Sequence, residues 1–451
     1  MGLKNLIIRG RNYISDHLTK SSLEKAIIRR QKRGKVIENE KLIILGCGWG
    51  SYSFLKNLNS IKYDITVISP RNHFLFTPLL TSSAVGTLEF RSIAEPVRTT
   101  RDINEFKYIQ ASVTSINPEN NSVLVKSTFH NEKPFEMKYD KLVIGVGSRN
   151  NTFGIKGVEE NANFLKELHH AREIRQKIIE CFERASLPDV STEERERLLS
   201  FVIVGGGATG IEFTSELNDF FSEDLSRLFP FVPVNEVKII LLEASGKILS
   251  TFDQKLVKKA LINFRNSGID VRTHSSVKEV LKDYVILDNG DRIPYGLLVW
   301  STGIGQHPLV KNSSFEKDSH DRIIVDDHLR VKNYSNVFSF GDCANVENKN
   351  YPPTAQVASQ SAVYLAKEFN NLEKLNPNPP KPFAFKFLGL LAYTGKKSGI
   401  LQTDFFDLSG FIGFITWRSA YLTRLGSLRS KIQVPFDWMR TLIFGRDISS
   451  F

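Results

Sequence analysis

This sequence predicts an α/β fold assembled from two copies of one strand–turn–helix unit, and three observations carry that reading. Two glycine-rich turns share a pattern: Leu42-Ile-Ile-Leu-Gly46-Cys-Gly48-Trp-Gly50-Ser51 and Phe201-Val-Ile-Val-Gly205-Gly-Gly207-Ala-Thr209-Gly210-Ile-Glu212. Each turn follows a short apolar run and precedes a helical one, as a buried parallel strand leading into a helix should. A second apolar strand comes after each, Tyr63-Asp-Ile-Thr-Val-Ile-Ser69 and Val237-Lys-Ile-Ile-Leu-Leu-Glu243, completing a βαβ unit twice. In such a unit the first glycine permits the tight turn, the second lets backbone approach a pyrophosphate and the third admits close helix packing. The helix N-terminus meanwhile offers unpaired N–H groups to the phosphates. Two dinucleotide-binding (Rossmann-like) domains, holding two dinucleotides face to face, are therefore expected.

Residues 1–38 read as a basic amphipathic presequence of mitochondrial type. Leu3, Leu6, Ile7, Gly10, Tyr13 and Ile14 recur at spacings of three and four, with Lys4, Arg9 and Arg11 between them and few acids. Residues 39–165 form the first part of the first nucleotide domain. Its second strand would usually end in an Asp or Glu that takes ribose hydroxyls, but Ser69-Pro-Arg71-Asn72 stands there. Ser51 likewise replaces the third glycine or alanine and is small enough to keep strand and helix close. The run Lys141-Leu-Val-Ile-Gly-Val-Gly147 is a strand that leaves on glycines, back towards the first nucleotide.

Residues 166–198 are a helical connection. Leu168, Ala171, Ile174, Ile178 and Phe182 keep helical spacing between Phe164 and Ala185, and Ser191 with Glu194 is a capping-box signature for a second, short helix. Residues 199–305 form the second nucleotide domain. Its crossover from Gly210 to Glu243 exceeds the usual roughly 20 residues and so holds extra helix near 220–230. Glu243 is suited to accept hydrogen bonds from ribose hydroxyls and to repel a 2′-phosphate, which favours NADH over NADPH; the alternative is a solvent-facing acid at a strand end. Leu297-Leu-Val-Trp-Ser301-Thr-Gly303 closes this domain. Residues 306–375 return to the first through Asn336-Val-Phe-Ser-Phe-Gly341-Asp342. The acid there can take a ribityl hydroxyl while the helix start after it faces a pyrophosphate. Pro-rich Asn376-Pro-Asn-Pro-Pro380 opens a C-terminal module, residues 376–451.

Composition bounds the function. With 451 residues, 41% hydrophobic and 24% charged, this is ordinary globular protein long enough for two or three domains. The formal charge of +11 is concentrated in residues 1–35 and 381–451, leaving the middle slightly acidic. That points to targeting and an anionic surface, and away from a nucleic-acid groove. Cys47, Cys181 and Cys343 lie far apart with no Cys-x-x-Cys, which excludes a disulfide framework, a cysteine-rich metal site and a redox-active pair beside a flavin. No 18-residue uncharged apolar run occurs, so no spanning helix is expected. Nor is a calcium loop of the EF-hand type present, and no metal is expected.

The ordered set Gly46-x-Gly48, Gly205-x-Gly207-x-x-Gly210, Ser301-Thr-Gly303 and Gly341-Asp342 resembles flavoprotein reductases with two dinucleotide domains, the FAD/NAD(P)-dependent reductase type. Longer motifs are similar to one branch, the mitochondrial type II, or alternative, NADH:quinone oxidoreductases, especially the fungal internal form. These are Ser69-Pro-Arg-Asn-His-Phe-Leu-Phe-Thr77-Pro78-Leu-Leu, Val85-Gly86-Thr87, Pro352-Pro-Thr-Ala355-Gln356-Val-Ala-Ser-Gln360 and Leu388-Gly389-Leu-Leu-Ala392-Tyr393-Thr-Gly395. The resemblance runs from about Lys41 to Phe451. It implies non-covalent FAD on the first unit, at Gly46, Gly48, Gly50, Ser51, Ser69, Arg71, Asn72, Thr77, Pro78, Gly147, Asp342 and Ala355. It implies NADH as substrate on the second, at Gly205, Gly207, Thr209, Gly210, Glu212, Glu243 and Gly303, with hydride passing from nicotinamide to flavin.

Glu212 matches the family acid that follows the second glycine turn and orients nicotinamide or relays a proton; the alternative is a helix N-terminal acid favoured by the dipole. Gln356 and Gln360, one helical turn apart, match the glutamine pair flanking the quinone head group, with Gly389 and Tyr393 completing the expected quinone site. An amide can donate to a quinone carbonyl without bringing charge. Glu212, Gln356 and Gln360 are the expected catalytic residues.

In the C-terminal module Phe411-Ile-Gly-Phe-Ile-Thr-Trp417-Arg418, Tyr421-Leu422 and Phe436-Asp-Trp438 are bordered by Arg424, Arg429 and Lys431. This pattern suits an amphipathic helix pair anchored in the headgroup layer of an anionic membrane, with a path for lipid-soluble ubiquinone; it also suits a homodimer interface, and simple core packing is the third alternative. The expectation is a peripheral, non-proton-pumping NADH:ubiquinone oxidoreductase of the mitochondrial inner membrane, on the matrix side because no hydrophobic sorting segment follows the presequence. Two rivals are a soluble reductase acting on a protein or sulfide, which the missing cysteine pair disfavours, and an NADH-binding interaction protein without turnover.

Overall fold

The computed structural model describes residues 39–102, 104–129, 132–371 and 381–449. The expected presequence lies outside them. The chain forms two compact units: one comprises the described residues up to Phe74, Pro96–Gly147 and Gln306–Phe385, the other Leu75–Glu95, Ser148–Gly305 and the chain from Lys386 on.

The first unit is built on a seven-stranded sheet in the order Val337–Ser339, Lys141–Ile144, Glu40–Leu45, Tyr63–Ser69, Lys107–Asn117, Ser122–Ser127 and Phe135–Lys138. The first five strands are parallel, the last two antiparallel. Leu42 to Leu45 are all buried, which is why this strand reads as an unbroken apolar run rather than an alternating one. Two helices, Trp49–Asn57 and Ala355–Asn371, pack against each other. Phe54 meets Phe369 edge-on at 5.4 Å between ring centroids, and Asn370 donates to the Asn57 carbonyl at 2.8 Å.

The second unit carries a parallel five-stranded sheet in the order Asn163–Phe164, Leu297–Trp300, Ser200–Val204, Lys238–Leu242 and Asp270–Arg272. An antiparallel sheet of Leu390–Tyr393, Gly399–Gln402 and Asp407–Ser409 belongs to the same unit and leads into two helices, Gly410–Arg424 and Leu428–Phe444. Among the described residues no helix is long and apolar enough to cross a membrane.

Three local expectations shift. The connecting helix is Leu168–Ala185, because Phe164 pairs as a strand with Trp300 instead of starting the helix. Ser191 does cap Thr192–Leu198, accepting from Glu194 N at 3.1 Å, but the Glu194 carboxylate turns to Arg197 and Arg184 and not back to the cap. Asp342 is not followed directly by a helix: it sits in a single 3-10 turn, Gly341–Cys343, after which Ala344–Val346 pairs with Ile323–Val325 and delays the helix to Ala355. The long crossover does hold extra helix, Ala208–Phe220 running through a π-helical turn, Phe221–Leu225, into Ser226–Leu228.

Candidate active site

The first glycine turn is shaped by what leaves no room for a side chain. Gly46 has a φ of +94°, and a Cβ there would lie 2.5 Å from the Gly145 carbonyl oxygen. A Cβ on Gly50 would lie 2.5 Å from the Phe340 ring, so Gly50 is the position that lets this helix close on the strand end before Asp342. Ser51 is buried and turns its hydroxyl to the Leu45 carbonyl at 3.3 Å. Gly48 caps the helix with its Cβ side open; the nearest atom beyond it, at 4.0 Å, is a guanidinium nitrogen of Arg71. An open helix N-terminus faced by a cation fits a pyrophosphate.

Ser69 donates its hydroxyl to Cys47 Sγ at 3.2 Å and accepts from Arg71 N at 3.3 Å, while Cys47 in turn donates to the Arg71 carbonyl at 3.0 Å. These bonds brace the loop that carries Arg71 and the exposed Asn72. Gly147, with φ of +67°, has open space where a Cβ would be. Ala355 opens the helix that bears Gln356 and Gln360, both half-buried. Thr77 and Pro78 open a single 3-10 turn, Thr77–Leu79, which belongs to the other compact unit.

The second turn repeats the logic more tightly. Gly205, at φ of +112°, donates to the Leu242 carbonyl at 2.8 Å. A Cβ on Gly210 would lie 1.9 Å from the Gly205 carbonyl oxygen, whereas one on Gly207, the helix cap, would meet nothing within 4 Å. Thr209 is exposed beside it. Gly303, at φ of +79°, would bring a Cβ 2.5 Å from the Asn151 carbonyl oxygen. Glu243 stands just beyond Lys238–Leu242, its carboxylate accepting from Gly206 N and Ser245 N at 2.7 Å each, which fixes it at the edge of the glycine turn.

From Gly207 onward the helix turns a row of acids into the unit. Glu212, 5% exposed, accepts from Tyr393 N at 3.1 Å and from the Trp417 indole N–H at 2.9 Å. Glu216 accepts from the Ser82 and Thr87 hydroxyls at 2.7 and 2.8 Å and stands 3.9 Å from Arg446. Asp219 accepts from the Tyr393 hydroxyl at 2.5 Å and from Lys396 N at 3.1 Å. Arg446 also pairs with Glu223 and Asp224, at 2.8 and 2.7 Å.

Burial pushes the Glu212 carboxyl up to about 8 against the two hydrogen bonds that favour its charged form, with Glu216 adding to the rise. Burial likewise pushes Asp219 up to about 6. At neutral pH Glu212 therefore holds a proton in most molecules, the state a general acid needs.

Sequence reasoning named Glu212 and Tyr393 but missed Trp417, Asp219, Glu216 and Arg446 as their neighbours. One signal was present: acids at 212, 216, 219 and 223 recur at helical spacing, a stripe of like charge along one face. Trp417, expected to face lipid, is buried, because its N–H has a carboxylate to reach and its ring lies 5.5 Å from that of Tyr393.

Gly389, at φ of +103°, lies where a Cβ would be 2.7 Å from the Gln402 carbonyl oxygen. On the helix pair Phe411, Ile412, Ile415, Leu428, Ile432 and Phe436 are exposed, as are Arg424, Arg429 and Lys431. Arg418 lies between the rings of Phe414 and Trp438, 4.5 and 4.4 Å from their centroids. Among the described residues no group of three or more His, Cys, Asp or Glu could hold a metal ion.

A family model described as pyridine nucleotide-disulphide oxidoreductase matches residues 40–362, and one described as the NDH2 C-terminal domain matches residues 387–447. The chain is 38% identical over 441 residues to the mitochondrial internal alternative NAD(P)H-ubiquinone oxidoreductase A1 of Arabidopsis thaliana, covering 91% of this chain and 86% of that protein. It is 37% identical over 483 residues to the mitochondrial external NADH-ubiquinone oxidoreductase 2 of Saccharomyces cerevisiae, covering 98% and 88%. A solved structure of NDH2 from Plasmodium falciparum in complex with NADH superimposes with a TM-score of 0.88 at 28% identity, covering 92% of this chain and 100% of that one.

Proposed function

The chain belongs to the alternative, type II NADH:ubiquinone oxidoreductases within the pyridine nucleotide-disulphide oxidoreductase family, and on that premise we propose that it oxidises NADH and reduces ubiquinone without pumping protons. The observation that carries the reading is the second glycine turn, whose helix delivers a buried Glu212, its carboxyl raised by burial, to Tyr393 and Trp417 of the C-terminal module.

Bound non-covalently, FAD would supply the redox chemistry that links hydride acceptance from NADH to quinone reduction. Arg71 and the helix N-terminus at Gly48 would hold its pyrophosphate, and Asp342 would take a ribityl hydroxyl. The turn of Gly205, Gly207 and Gly210, with Thr209, holds the NADH pyrophosphate, and Glu243 takes its ribose hydroxyls. Gln356 and Gln360 donate amide hydrogens to the quinone carbonyls. Glu212 supplies a proton as ubiquinol forms.

Steady-state oxidation of NADH with a short-chain ubiquinone tests this. Fast turnover is expected; tight NADH binding with no turnover would favour an NADH-binding interaction protein. In the same assay Glu243→Ser raises kcat/KM for NADPH relative to NADH by about tenfold, since the charge opposing a 2′-phosphate is gone. An unchanged ratio would remove Glu243 from the ribose site.

The exposed apolar face of the helix pair lies in the headgroup layer of the mitochondrial inner membrane, on its matrix side; a second copy of the chain is the alternative occupant. Truncation at residue 381 cannot test this cleanly, because it also takes Tyr393 and Trp417 from Glu212. The double substitution Ile432→Glu/Phe436→Glu leaves those bonds alone. It lowers binding to anionic-lipid vesicles about a hundredfold, the effect of losing two buried side chains. Undiminished vesicle binding with a dimer turned monomer would assign the face to self-association.

A further inference from the structure

Tyr393 touches two buried acids at once: its backbone N–H donates to Glu212 at 3.1 Å and its hydroxyl donates to Asp219 at 2.5 Å. The turn that follows it is strained. Between Leu390–Tyr393 and Gly399–Gln402, Ser398 N closes on the Gly395 carbonyl at 2.9 Å, and the two central residues, Lys396 and Lys397, have φ of +50° and +57°. Two-residue turns with both centres left-handed ordinarily carry Asn or Gly, because a Cβ there crowds the backbone. Here two exposed lysines occupy them. Their backbones are held by the same pair of side chains: Lys396 N donates to Asp219 at 3.1 Å and Lys397 N donates to the Tyr393 hydroxyl at 3.2 Å. One carboxylate thus fastens a strained turn, and the strand end it fastens carries the N–H that Glu212 uses.

We propose that Asp219 is a positioning residue for Glu212: by holding the Tyr393 hydroxyl and the Lys396–Lys397 turn, it keeps the Tyr393 N–H on the Glu212 carboxyl. For its consequence in catalysis, and only there, the proposal rests on the reading of Glu212 as proton donor. That N–H bond favours the charged form of Glu212 and works against burial, so releasing Tyr393 makes Glu212 hold its proton more tightly. The other charged and titratable groups facing this cluster are Glu216 on the same helix and Glu223 just beyond it, Arg446 from the tail, and Arg418 and Tyr421 from Gly410–Arg424. The Lys396 ammonium is directed to the Asn266 carbonyl at 3.3 Å.

The test follows the protonated-carboxyl infrared band of Glu212 itself, identified as the band present in the unmodified protein and missing from Glu212→Gln, as a function of pH. Asp219→Asn and Tyr393→Phe are each expected to raise its midpoint by about one pH unit. The double variant should go no further, and Asp219→Glu should return the midpoint towards its starting value. The alkaline limit of ubiquinone reduction should move with the band. An unmoved midpoint in folded Asp219→Asn overturns the proposal; if that variant does not fold, Tyr393→Phe, which removes only the hydroxyl, decides it in the same way. A midpoint that moves while the pH profile of catalysis stays put supports the positioning role and overturns the assignment of Glu212 as proton donor.

Discussion

Replacing Gly210 with alanine leaves a yellow protein that NADH no longer reduces efficiently. The added Cβ would stand 1.9 Å from the Gly205 carbonyl oxygen, and both atoms are fixed to backbone, so no rotamer relieves the overlap. Either the helix Ala208–Phe220 retreats or the turn opens, and both outcomes carry the N–H groups near Gly207 and Thr209 away from a bound pyrophosphate. Displacements of about 1 Å in a positioning element cost on the order of a hundredfold, and a rise of that size is expected in KM for NADH. FAD is retained because its proposed turn, Gly46 to Ser51, lies in the other compact unit. Anaerobic titration separates the steps: NADH fails to bleach the flavin at concentrations that suffice for the unmodified protein, while dithionite bleaches both. A normal KM in Gly210→Ala would refute the close-packing argument.

The parts of this molecule that were legible in the sequence are those whose cause is local. The strand Tyr63–Ser69 has the bounds its apolar run suggests, and both glycine turns stand where their spacing put them, because positive φ and absent Cβ atoms leave a mark at the position itself. What escaped was decided by partners far along the chain. Asp219 gains its meaning from Tyr393, and Trp417 from Glu212; no periodicity reveals which aromatic of an apolar helix turns inward to a carboxylate. The delay between Asp342 and its helix arose from pairing of Ala344–Val346 with another strand, again a distant cause. Within the site, therefore, the nucleotide turns could be read residue by residue, whereas the row of acids showed only as an unexplained stripe.

Glu212→Gln slows ubiquinone reduction by about 10²–10³-fold while NADH still bleaches the flavin at close to its normal rate, the loss being that of a positioned general acid. Glutamine has the shape of the carboxyl and an oxygen that can accept from Tyr393 N and the Trp417 indole, so folding survives and only the transferable proton is gone. The pH dependence gives an independent check. With the carboxyl raised to about 8, the donor is present below that pH and lost above it, so turnover with ubiquinone falls about tenfold per pH unit on the alkaline side. The variant lacks this limb. Stability carries the same signature with a definite sign: the folded carboxyl binds its proton more tightly than the ordinary value of 4.5. Its contribution is therefore fully present below about 4.5 and is lost as pH rises through about 8, with a slope of at most roughly 1.4 kcal/mol per pH unit. Glutamine has nothing to titrate, so the melting temperature of the variant rises relative to the unmodified protein as pH increases across that window. Parallel melting curves with an unchanged alkaline limb would mean that Glu212 is charged throughout, and that the proton for ubiquinol enters by another group.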